Sequence, residues 1–180
     1  VEGFLSNNSN PPTEAIALDG TRRVINYIDQ AATDGNDREA RSQMSMAALE
    51  GGMAIYMGLG PIHALSMTFG DSPLHHGTLV TVAMPAVMKF YNDKIKGDAL
   101  ERIASAMGPS ADKESGNRIA DAVAEINAKL GLPSTVKQMG YDKSNIAKMV
   151  SDSCESHFNA TAPIIPNAEE YEKIIVEVLG

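Results

Sequence analysis

Apolar residues recur at three- and four-residue spacing along most of this chain, while strict apolar–polar alternation is scarce. That pattern predicts helix after helix. Ser9, Asn10, Pro11 and Pro12 break the chain and then start a helix, proline being favoured in a first turn. From Thr13 onward, Ile16, Val24, Tyr27 and Ile28 keep helical spacing. The "TDGND" stretch at 33–37 punctuates, with Asn36 or Asp37 available to cap the next helix. That helix carries Met44, Ala47, Ala48, Gly51, Gly52, Ala54 and Ile55. Its small residues admit another backbone closely, which predicts a buried central helix. Gly58 and Gly60 end it, and Pro61 restarts the chain.

A further helix is predicted over 62–69, ended by Gly70, with Asp71, Ser72 and Pro73 as the turn. "HGTLVTVAMPAVMKFYND" then reads as a long apolar helix, its β-branched residues leaving a strand open. Pro85 would kink that helix without having to end it. Later helices are expected over 98–107, 113–130, 142–153 and 167–179. In the last, Asn167 caps, Glu169 and Glu170 suit the first turn, and Tyr171, Ile174, Ile175 and Val178 make the buried stripe. No internal repeat appears, and 180 residues suffice for one core of moderate size. The expectation is a single all-α domain. "VEGFLS" has an apolar pattern with no cap before it, and reads as the end of a helix begun earlier in a longer protein.

Composition narrows the function classes. Apolar residues make up 43% and charged residues 21%, an ordinary soluble globular balance. A net charge of −8 with scattered Lys and Arg argues against nucleic-acid binding. The longest basic cluster, Lys89, Lys94 and Lys96, is diluted by Asp93 and Asp98. No apolar run approaches the ~20 residues of a membrane span, and the first residues lack the pattern of a signal peptide. A single cysteine, Cys154, rules out an internal disulfide and a cysteine-based zinc site. With no basic neighbour it reads as a small buried hydrophobe, and a reducing, cytoplasmic compartment is expected. Ten Met and no Trp suggest an adaptable helical interior.

Three of the four histidines fall in "GPIHALSMTFGDSPLHHG", residues 60–77. His63 lies on the helix over 62–69 and His76 opens the next, so the intervening turn can bring the imidazoles together from different elements. Two histidines alone do not close a metal site, which takes at least three protein ligands. Asp71 either supplies an oxygen or serves only the turn. His75 and His76 are adjacent, so their side chains diverge and one points inward. Spacing alone leaves two readings open: helix-end residues in a polar loop, or a metal-holding pair. His157 is isolated and expected at a helix end.

The stretch "GPIHALSMTFGDSPLHHGTLVTVAMPAVMKFY" resembles the signature region of the iron-containing (group III) alcohol dehydrogenases. The pattern G-x-x-H-A, then Gly, then H-G opening a helix with a downstream Pro matches Gly60, His63, Ala64, Gly70, His76, Gly77 and Pro85. "VEGFLS", "GLPSTVKQMGYDKSNI" and "APIIPNAEEYEKIIVEVL" resemble further family segments, so the likeness covers nearly the whole chain. It implies the multi-helix C-terminal domain of a dehydroquinate synthase-like fold. It also implies an enzyme in which an Asp and three His hold Fe²⁺ or Zn²⁺, and hydride passes between an alcohol or aldehyde and NAD or NADP. By position, His63 and His76 match two of the ligands, and the Asp and the remaining His would precede Val1. The expected partners are a nucleotide-binding N-terminal domain, absent from this chain, and a second copy in a homodimer. No Gly-rich phosphate loop occurs here, so no cofactor-binding residue is assigned.

The chain departs from the family pattern in three places. Met67 stands where many members have another His, and a thioether cannot relay a proton; Met67 is expected as a wall of the substrate pocket. The loop between the two histidines is one residue shorter than usual, and His75 replaces the common Pro. That puts His75 in the pocket as a competing ligand or proton relay. Tyr56 sits near a position often held by Asn. Two other functions remain open: a non-catalytic helical binding or assembly domain with a decayed metal site, and a related polyol or sugar-acid dehydrogenase.

Overall fold

A computed structural model describes residues 1–70, 72–108, 114–141 and 145–180. Among these, every regular element is helical and no strand occurs. The α-helices are α1 (Glu2–Leu5), α2 (Pro11–Thr33), α3 (Arg38–Ile55), α4 (Pro61–Met67), α5 (His76–Asn92), α6 (Ala99–Met107), α7 (Ser115–Lys129), α8 (Ile146–Glu155) and α9 (Ala168–Leu179), with 3₁₀ turns at Lys137–Met139 and His157–Thr161. None of these helices is long and apolar enough to cross a membrane.

Local chemistry sets the helix starts. Asn10 and Thr13 form a reciprocal capping box ahead of Pro11 and Pro12, and Asn167 and Glu170 form another on α9. Of the two caps open before α3, Asp37 is the one used, accepting from the Ala40 N–H. The helix expected over 113–130 runs Ser115–Lys129, and that expected over 142–153 runs Ile146–Glu155 behind an Asn145 cap. Lys113 and Asp142, the starts expected for these two, lie outside the described residues, as does Asp71.

The centre of the core is α5, with Leu79, Val82, Ala83, Ala86, Val87, Met88 and Tyr91 buried and Pro85 carried inside the helix. Helices α4, α7 and α9 pack around it. On α9 the buried residues are Tyr171, Ile174, Ile175 and Val178, the stripe expected from spacing. With apolar neighbours on three sides, the β-branched residues of α5 are compatible with helix: packing overrides their weak strand preference.

Two expectations are corrected. Helix α3 is peripheral rather than central. Only Ala40, Ala47 and Ala54, seven residues apart, are buried along it, while Met46, Leu49, Met53 and Ile55 face outward. Small residues signal a close approach on one side and say nothing of the other. Cys154 is exposed rather than buried, because α8 turns Met149 and Ser153 inward.

Helix α1 is seated by unusually close packing. A Cβ on Gly3 would collide with the Ala54 carbonyl at the end of α3. The chain after α1 is tied down by Ser6 Oγ donating to the Met57 carbonyl (2.6 Å) and the Asn7 N–H donating to the Thr161 carbonyl (2.9 Å). Gly3→Ala should therefore cost about 1–3 kcal/mol, the usual range for overpacking. Chemical denaturation checks this, and an unchanged midpoint would contradict the contact.

Candidate metal centre

Helix α4 begins at Gly60, an N-cap with no side chain, followed by Pro61. Its first-turn amides need acceptors from elsewhere. Glu2, buried on α1, supplies one: its Oε1 accepts the Ile62 N–H at 2.7 Å. Its Oε2 lies 2.5 Å from Nδ1 of His63, one residue further along α4. Gly60 gives the carboxylate room, since a Cβ there would sit 2.9 Å from Oε1.

His76, the first residue of α5, comes alongside. The His63 and His76 ring centroids are 5.5 Å apart, with planes at 55°. Two imidazoles sharing one ion at ~2.1 Å from each nitrogen would place their centroids about 5 Å apart, so the pair is close to ligating separation. Ser66 links the backbone of His63 to the ring of His76. Its hydroxyl donates to the His63 carbonyl at 2.9 Å, which leaves its oxygen to accept from Nδ1 of His76 at 3.4 Å. Both Nδ1 atoms are thus engaged from behind, and among the described residues both Nε2 atoms are left free. Metal-bound histidines characteristically have their other ring nitrogen held in this way.

The remaining candidates lie apart. Nδ1 of His75 accepts from the Thr78 N–H at 3.4 Å as the N-cap of α5, and the residue is exposed. Met67, at the end of α4, is 53% exposed, and Tyr56 is 89% exposed. His157 opens a 3₁₀ turn, is exposed, and lies against the Phe158 ring at 4.1 Å. Among the described residues no group of three or more His, Cys, Asp or Glu gathers to hold an ion.

Beside His63 opens a cavity of about 330 Å³, lined mainly by apolar side chains such as Val24, Ile55, Leu59, Ile62 and Met84. Neither Met67 nor His75 lines it. It gives His63 an apolar flank.

Glu2 was missed in the sequence. The available signal was an acidic residue within the apolar "VEGFLS" run, since a carboxylate on a packed helix needs a partner.

A family model described as "Fe-containing alcohol dehydrogenase family, C-terminal" matches residues 1–179. The chain belongs to that family. It is 36% identical over 184 residues to the 4-hydroxybutyrate dehydrogenase of Cupriavidus necator, covering 97% of this chain and 47% of that protein. It is 27% identical over 185 residues to the NAD-dependent methanol dehydrogenase of Bacillus methanolicus, covering 99% and 48%. The chain spans about half the length of the curated relatives it matches. Its fold is that of a 1,3-propanediol oxidoreductase crystal structure, with TM-score 0.90 at 24% identity, covering 98% of this chain and 48% of that one.

Cys154 takes no part in the cluster. Partial desolvation and the charge of Glu155 raise its thiol pKa above the ordinary value. A raised pKa leaves less thiolate at neutral pH. Alkylation by iodoacetamide should therefore rise with pH along a curve displaced upward from that of a free cysteine. A curve displaced downward would contradict this environment.

Proposed function

We propose that this chain is the helical half of a metal-dependent, nicotinamide-linked oxidoreductase that interconverts small alcohols and aldehydes. The observation that carries the reading is the anchored histidine pair. His63 and His76 come from two helices, each with Nδ1 engaged and, among the described residues, Nε2 free. Family membership and relatives named as dehydrogenases of 4-hydroxybutyrate and methanol support the reaction class.

The donor set fits Fe²⁺ or Zn²⁺, both of which accept imidazole nitrogen. His63 and His76 would supply two ligands, and the others would come from outside the described residues. When bound, the ion supplies Lewis-acid polarisation of the alcohol or aldehyde oxygen, and NAD or NADP gives or takes the hydride. The chain's own residues hold and orient. Glu2 and Ser66 fix the two rings from behind, and the apolar wall beside His63 limits water. Met67 carries no exchangeable proton, so it shapes a surface and relays nothing. His75 holds the start of α5, its Nδ1 already used as a cap. In the intact enzyme this domain would face a nucleotide-binding half that carries the cofactor.

The test uses the intact enzyme. His63→Ala and His76→Ala should each lower metal affinity by more than the ~10–100-fold typical of outer partners, with NAD(P)-linked turnover falling alongside. His75→Ala should leave metal content nearly unchanged. Metal analysis and steady-state assays check this, and retention of stoichiometric metal by His63→Ala would refute the assignment.

A further inference from the structure

We propose that Glu2 is a positioning residue that fixes the tautomer of His63 and so decides which ring nitrogen is offered to the metal. The proposal rests on the reading of His63 as a ligand and adds a residue to it. Neutral imidazole carries one proton, and only the unprotonated nitrogen can ligate. Glu2 Oε2 lies 2.5 Å from Nδ1 of His63. An ionised carboxylate accepts hydrogen bonds and donates none, so the proton sits on Nδ1 and the lone pair on Nε2. The other oxygen, Oε1, is committed to the Ile62 N–H at 2.7 Å. Glu2 thus faces two donors at once, and a carboxylate is the one group of its size that can accept from both.

That double demand makes Glu2→Gln more than a loss of charge. The glutamine has one acceptor and one donor end. With its oxygen on the Ile62 N–H, its NH₂ faces Nδ1 and favours the tautomer protonated on Nε2, the nitrogen that would otherwise be offered to the metal. With the amide reversed, NH₂ meets N–H at Ile62, two donors against each other with the amide orphaned. Gly60 keeps the space beside Oε1 clear of any side chain, since a Cβ there would sit 2.9 Å from that oxygen. A nearly isosteric change therefore inverts the ring's proton while leaving the packing in place.

Histidine-selective ¹⁵N labelling of the intact, metal-free protein at alkaline pH reads the tautomer directly, with the His63 signals assigned by their loss in His63→Ala. The expected result is protonation at Nδ1 in the wild type and at Nε2 in Glu2→Gln. Zinc affinity, measured by chelator competition, should fall about 10–100-fold in Glu2→Gln, while the melting temperature of the metal-free protein stays close to wild type. Wild-type His63 protonated at Nε2, or at both nitrogens, would overturn the proposal whether or not Glu2→Gln folds. Unchanged tautomer and affinity in Glu2→Gln would overturn it too. Failure of the ligand reading is a separate outcome, in which His63→Ala binds zinc as tightly as wild type. The tautomer, read without metal, remains decisive in that case.

Discussion

The arrangement depends on one buried carboxylate. Removing Glu2 from water is costly unless both oxygens find donors, and they find them on consecutive residues of α4, the Ile62 amide and the His63 ring. Hydrogen bonds to an ionised acceptor are among the stronger ones available. The same two contacts, spanning 60 and 61 positions of sequence, fix the register of α1 against α4. The glycines fit this constraint. Gly60 leaves space for the carboxylate and cannot cap α4 itself, so Glu2 does the capping. Gly3 lets α1 settle against the end of α3, which brings Glu2 within reach.

From that anchor the candidate centre is built outward. His63 is held rigidly beside an apolar cavity, and His76 stands at the exposed start of α5. Ser66 couples them, donating to the backbone of one histidine and accepting from the ring of the other. The outcome is an asymmetric candidate site, apolar on one side and open on the other.

Much of the fold was legible because it was written in local chemistry. The helix start at Pro11, the cap at Asn167 and the α9 stripe from Tyr171 to Val178 are short-range features that periodicity and capping rules read well, and Asp37 was one of two caps they offered before α3. The place of α3 was not legible. Small residues reveal one close contact, and only the tertiary arrangement shows that Met46, Leu49 and Met53 point away from the core. Cys154 misled for a related reason: composition favours burial of cysteine, yet Ser153 takes the inward position on α8. His63 and His76 stood out through spacing and family resemblance. The carboxylate behind His63 did not, since no local pattern pairs residue 2 with residue 63.

Whether His63 and His76 ligate one ion through their Nε2 atoms is tested most directly by an anomalous-scattering crystal structure of the intact protein loaded with zinc or iron. The predicted result is a single anomalous peak about 2.1 Å from both Nε2 atoms, with Glu2 still on Nδ1 of His63. A peak on His75, on either Nδ1, or away from the pair would contradict it.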